Sequence, residues 1–333
     1  MTAATGVGSM PGGDPLDGEA DNAAAYAEAT RVVLDELTDF AHVPELPERG
    51  AHASMTGRAL AVVDGLAVDL QPAGWRLTDS SGLDHRRARS QLAQDLDKVE
   101  ELAQGFDGVF KTQVTGPWTL AATVEKPRGD KILSDHGARR ELAQALAEGI
   151  GAHVADVRRR VPAAAELVVQ LDEPALPAVL AAQIPTASGW GKHRSIDAPE
   201  ASTALEWVLA AVSESGATPI VHCCAPDFPI GLVRGAGARG ISVDVDMLGA
   251  ASYDALAEAI EAGERVLLGA VSATGELPEE RRAVERVIRL LDMLGLEPTP
   301  GLTITPSCGL AGATQRQARE VLRLCQKVAA EIR

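Results

Sequence analysis

Short apolar runs alternate along the chain with longer segments in which apolar residues recur at helical spacing. The runs are Thr5–Ser9, Asp39–Pro44, Val109–Val114, Glu166–Leu171, Pro219–Cys224, Gly240–Val245, Arg265–Ala270 and Leu302–Pro306. Between them, helical patterns cover Asn22–Thr38, Leu83–Gly105, Gly137–Arg160, Ala201–Ser215, Tyr253–Ala262, Pro278–Leu294 and Thr314–Ile332. Nearly continuous apolar strands joined by helices of this length predict a parallel sheet. Eight such strands predict closure into a (β/α)8 barrel, one α/β domain over residues 1–333. Helix-end chemistry agrees: Asp84 and Gly105 are placed to start and stop one long helix, and Asp197 or Ser202 to cap another. Val62–Trp75 is an insertion, either a hairpin or an extra helix, and Asp79–Asp84 and Ser188–Glu200 are irregular.

The unusual residues fall at the ends of these runs. In Val221-His222-Cys223-Cys224-Ala225 the strand alternation turns His222 and Cys224 to one face and Cys223 to the other. An imidazole and a thiolate two residues apart are half of a zinc site. Cys308, which closes the run before Gly309-Leu310, is the natural third donor. The next strand offers Asp244 and Asp246 on a shared face; Asp244, inside the strand body, is the better fourth ligand, and Asp246 fits a loop-capping role. Ser9 and Asp172 also lie at strand ends, the side of a barrel on which active sites are built.

Composition narrows the function. Of 333 residues 46% are hydrophobic and 23% charged, enough for a large core, and with only 3% aromatics that core is mostly Ala, Leu and Val. A formal net charge of −16 argues against nucleic acid as a partner. The Met1–Gly8 segment has no basic-then-apolar leader pattern, and no apolar run reaches the roughly 18 residues that span a bilayer. A cytoplasmic protein with no membrane association is therefore expected. Two of the four cysteines are adjacent, which suits reduced thiols better than a disulfide framework. Cys325 sits in the apolar stripe Val321, Leu324, Cys325, Val328 and reads as core, and Cys223 reads as packed beneath a helix.

Five pieces carry a resemblance: Gly6-Val7-Gly8-Ser9-Met10-Pro11, Val114-Thr115-Gly116-Pro117, Val169-Gln170-Leu171-Asp172-Glu173-Pro174-Ala175-Leu176, His222-Cys223-Cys224 and Pro306-Ser307-Cys308-Gly309-Leu310. In order and over nearly the whole chain, they resemble the C-terminal catalytic barrel of the cobalamin-independent methionine synthases. The Thr-Gly-Pro piece is similar to uroporphyrinogen decarboxylases as well, which share the barrel superfamily. The resemblance implies a zinc cofactor held by His222, Cys224, Asp244 and Cys308. It also implies homocysteine held by Ser9 with backbone groups and by two carboxylates, Asp172 and either Glu45 or the nearby Glu48, with Glu45 preferred.

Three departures stand out. The family's acidic ligand is usually Glu, one methylene longer than Asp244, and its leaving-group histidine after the seventh strand has no counterpart in Gly269-Ala270-Val271-Ser272-Ala273-Thr274-Gly275. The family's N-terminal barrel, which helps hold a folate tail, has no counterpart in this sequence either. The expected activity is a zinc-dependent methyltransferase (methionine biosynthesis) that moves a methyl group to the thiol of homocysteine. With no catalytic acid assigned, a corrinoid or other non-folate donor, including a methyl-donor protein, is the alternative, and a loop histidine such as His193 a substitute proton source. A metal- or thiol-binding homologue without turnover is the non-enzymatic reading. Porphyrinogen decarboxylation is disfavoured, since it has no use for the cysteines and the N-terminus has no arginine cluster.

Overall fold

The structure, a computed structural model, describes residues 2–332. Its strands are β1 Ala3–Ala4, β2 Phe40–His42, β3 Ala67–Gln71, β4 Gly74–Thr78, β5 Val109–Thr115, β6 Glu166–Asp172, β7 Thr218–Cys223, β8 Gly240–Asp244, β9 Arg265–Val271 and β10 Leu302–Pro306. All but β3 and β4 form one eight-stranded sheet in the order β1-β10-β9-β8-β7-β6-β5-β2. Its pairings are parallel throughout. The two end strands meet where Ser9 bridges Glu45, so the sheet closes into the expected barrel through two candidate substrate residues. The insertion is the antiparallel hairpin β3–β4, joined to the barrel by a bridge from Arg76 to Glu125.

Helices cover the outside: α1 Glu19–Glu36, α2 Met55–Val62, α3 Leu83–Leu102, α4 Pro117–Thr123, α5 His136–Arg160 and α6 Leu176–Leu180 in the first half. In the second half they are α7 Ala198–Glu214, α8 Ile230–Gly235, α9 Ala250–Glu261, α10 Glu280–Leu294 and α11 Gln315–Glu331. The long ones follow their apolar stripes. In α11, Ala318, Val321, Leu322, Cys325, Val328 and Ala329 are buried at the three- and four-residue spacing of one helix face. Cys325 is core, as its stripe implies, and Cys223 is buried on the helix-facing side of β7. Asp197 caps α7 by accepting from the Glu200 N–H at 2.8 Å. Asp84, expected as a cap, lies inside the first turn of α3 and instead pairs with His52 at 2.9 Å.

Strand alternation layers the barrel interior. At the N-terminal ends of the strands, Phe40, Val168, Ile220 and Leu267 form an apolar plug against Ala3 and Val109. Two residues further along the same strand faces the interior turns polar, with His42, Lys111, Gln170 and Ser242 all buried. The C-terminal ends then carry Asp172, His222 and Asp244 into the mouth. The short strand β1 lies earlier than the apolar run that predicts it. Thr5–Ser9 continues past the ladder as irregular chain, because its role is to cross the mouth of the barrel to Glu45.

Candidate metal and amino-acid site

His222 is positioned from below: its Nδ1 shares a hydrogen bond with Ser242 Oγ on the neighbouring strand at 3.0 Å. Its imidazole also lies within 4.8 Å of the Cys308 sulfur. Cys224 and Cys308 arrive from β7 and β10 with their sulfurs 3.1 Å apart. That is far beyond the roughly 2.05 Å of a disulfide, and all four cysteines are free. Either sulfur can donate to the other, and the one proton they share holds one thiol of the pair down and pushes the other up. One nitrogen and two sulfurs thus lie within 4.8 Å of one another. Such a soft donor set, with one thiol already favouring its anion, fits zinc.

Asp244 stands beside this group rather than in it. It ends β8, and its Oδ1 accepts from the Asp246 N–H at 2.9 Å, capping the short turn that follows. Burial raises its pKa, and the Cys308 sulfur acts on it in the same direction, so the two are electrostatic neighbours. Asp246 turns outward into an ion pair with Arg286 and is mostly exposed.

The other end of the site is carboxylate-rich. Asp172 and Glu45 are both buried, and burial raises both pKa values, Glu45 to about 7. Glu45 faces Arg58 of α2 at 3.4 Å. Glu48 is exposed and accepts only from the Gly12 N–H, so the fold brings Glu45 to the site and leaves Glu48 outside. Ser9 is pinned from its far side: its carbonyl accepts from the Leu310 N–H at 2.8 Å, and a Cβ on Gly309 would meet Ser9 Oγ at 2.0 Å. Only glycine admits so close an approach. Ser9, Glu45, Asp172, His222, Cys224 and Cys308 line one cavity of about 370 Å³, whose remaining wall includes Val7, Met55 and Pro174.

His193 is not part of this cavity. It is buried in the loop before α7, where its Nε2 meets Asp130 Oδ1 at 3.1 Å. Residues the sequence analysis passed over include Arg58, Met55, Lys111 and Gln170. Lys111 had a signal: a lysine in the middle of an apolar strand has to be satisfied inside the protein.

A closed parallel barrel with a histidine–dithiol cluster and two carboxylates at its C-terminal mouth defines a class, the (β/α)8 barrel enzymes. The family described as cobalamin-independent synthase, catalytic domain, matches residues 99–331, and the chain belongs to it; its members are methyltransferases. The matched segment contains Asp172, His222, Cys224, Asp244 and Cys308, while Ser9 and Glu45 precede it. A B12-independent methionine synthase from Shewanella sp. W3-18-1, solved in complex with selenomethionine, shares the fold with a TM-score of 0.65. That match covers 99% of this chain and 97% of the other at 14% identity. The 3-hexulose-6-phosphate synthase of Salmonella typhimurium is a looser likeness, with a TM-score of 0.38 and 11% identity over 100% of both chains, and carries no argument. A comparison with curated proteins finds no match.

Proposed function

We propose that the protein is a zinc-dependent methyltransferase that moves a methyl group to the thiol of homocysteine to give methionine. One observation carries this reading. A sulfur-rich donor cluster and two buried carboxylates line a single cavity of about 370 Å³. That is the complement of a molecule with a thiol at one end and an ammonium at the other. The selenomethionine in complex with the Shewanella synthase has the same ammonium end, with a methylated selenium where homocysteine has its thiol.

His222, Cys224 and Cys308 would hold the zinc, with Asp244 completing the set. Bound there, zinc supplies the Lewis acidity that makes a substrate thiol a thiolate at neutral pH. Asp172 and Glu45 receive the ammonium as charge-assisted acceptors, and Ser9 with its backbone neighbours receives the carboxylate. The apolar wall of Val7, Met55 and Pro174 excludes water from the space left for the methyl donor.

A second reading concerns the donor alone. Residues 271–275 read Val-Ser-Ala-Thr-Gly and contribute no group that titrates near neutrality. His222 is the one histidine along the cavity, and it is committed to the cluster. A methyl donor that leaves without being protonated, a corrinoid protein or another activated carrier, suits this site better than an N-methylated pterin. Metal analysis of the purified protein, with methyl transfer to homocysteine assayed from several donors, tests both readings. About one zinc per chain and methionine from at least one donor are expected. A metal-free protein that forms no methionine from any donor would overturn the proposal.

A further inference from the structure

Lys111 is the one lysine wholly buried among the described residues, and it does not itself line the cavity. It stands on the inward face of β5, a layer below the mouth. Its Nζ donates to the Val7 carbonyl at 2.7 Å and to Gln170 Oε1 at 2.6 Å. Gln170, also fully buried, donates through Nε2 to the Val7 carbonyl at 2.9 Å and to Asp172 Oδ1 at 2.7 Å. An amide side chain can sit either way round, and what surrounds it decides which. A lysine ammonium only donates, so Lys111 requires the Gln170 oxygen to face it. The Gln170 NH₂ is thereby turned toward Asp172.

We infer that Lys111 is a positioning residue for amino-acid recognition. Acting through Gln170, it fixes Asp172 as a pure hydrogen-bond acceptor with one oxygen held from below. Among the described residues, no protein group hydrogen-bonds the other oxygen of Asp172, which is left for the ligand's ammonium. Reversing the Gln170 amide would set two oxygens against each other and swing the carboxylate away. Burial lowers the Lys111 pKa to about 7, and Asp172 and Glu45 pull it back up, so the two carboxylates favour the ammonium form that donates to Gln170. The inference rests on the proposed recognition of a homocysteine ammonium by these carboxylates and assigns the residues that make it selective.

The experiment compares two ligands on the metal-loaded protein by calorimetry: L-homocysteine, and 4-mercaptobutanoate, which has the same thiol and carboxylate but no amino group. The quantity read is the ratio of their affinities. Lys111→Met keeps the bulk of the side chain. Gln170→Glu keeps a partner for Lys111 but has no N–H to give Asp172, and it carries the test should Lys111→Met not fold. Each is expected to lower the ratio about tenfold, with 4-mercaptobutanoate affinity and zinc content near wild type. A purely structural role would weaken both ligands together and leave the ratio unchanged, and that result in the folded variants overturns the inference. Asp172→Asn separates the two levels. If it collapses the ratio while Lys111→Met and Gln170→Glu do not, the relay is wrong and the ammonium site stands. If wild type itself shows no preference for homocysteine, the ammonium site is wrong.

Discussion

At the scale of single residues, the two ends of the site make separable demands. Cys308 is one of three side chains placed to hold a metal ion, and Cys325 is a fully buried apolar residue of α11. Cys308→Ser is therefore expected to lose most of the zinc and Cys325→Ser none, as read by metal analysis after gel filtration. If both variants keep full zinc, the cluster has been misassigned. Asp172→Asn removes a charge from the amino-acid end without touching a metal donor. It is expected to weaken homocysteine binding by about ten- to a hundredfold with zinc retained, the worth of a charge-assisted hydrogen bond. An unchanged dissociation constant would count against Asp172 as an ammonium partner. Sequence made the three donors legible because imidazole and thiol at strand ends have few other uses. It left Glu45 and Glu48 unresolved because both are acidic loop residues. Only the closing bridge between Ser9 and Glu45 turns one inward.

At the scale of elements, the pieces Thr115-Gly116-Pro117 and Asp172-Glu173-Pro174 turn out to be one device. The Glu173 carboxylate accepts from the Trp118 and Thr119 N–H groups at 2.9 and 2.8 Å and from Thr119 Oγ1 at 2.7 Å, holding the start of α4 against the end of β6. This anchors the chain immediately after Asp172. A Cβ on Gly116 would come within 2.4 Å of Glu173 Oε1. Gly116→Ala is expected to cost about 1–3 kcal/mol in urea unfolding, the usual penalty for overpacking. A variant as stable as wild type would show that the contact gives way freely. The layer between β5 and α5 has a pH signature of its own. His153 lies there, sharing a hydrogen bond with Thr112 Oγ1 at 3.1 Å. Burial first, then the Arg58 charge, lowers its pKa to about 4, with Asp156 pulling weakly the other way. A histidine depressed in the fold binds fewer protons folded than unfolded between its folded value and the ordinary 6.5. Its contribution is thus intact above 6.5 and lost as pH falls toward 4. His153→Gln is expected to lose about 1–2 kcal/mol less stability than wild type between pH 7.5 and 5. Parallel stability curves for the two proteins would rule this out.

At the scale of the whole molecule, the proposal about the donor rests on what stands around the mouth. Residues 271–275 after β9 contain neither a histidine nor a carboxylate, and His193 is tied to Asp130 away from the cavity. Loss of a general acid costs about 10²–10⁴-fold in rate. Turnover with methyltetrahydrofolate as sole donor is therefore expected to be slow or undetectable. A donor whose methyl departs without protonation is expected to be faster by a comparable factor in a direct methionine assay. Rapid turnover with methyltetrahydrofolate would sink this expectation and point to a proton source that reaches the cavity by movement of a loop. The barrel's apolar plug and buried polar layer make the floor beneath the cavity.

The sequence by itself determined the barrel, because near-continuous apolar strands alternating with amphipathic helices have few other ways to bury themselves. It also determined His222, Cys224 and Cys308, through strand alternation and position. Tertiary structure decided what depends on contacts between distant segments. The insertion became the β3–β4 hairpin, Glu45 rather than Glu48 faced inward, and Asp244 took up a turn beside the donor cluster. It also joined Lys111, Gln170 and Asp172 into one chain of hydrogen bonds. Periodicity tells which face of a strand a residue occupies. A hydrogen bond between two strands depends on their register, which is settled only when the barrel closes.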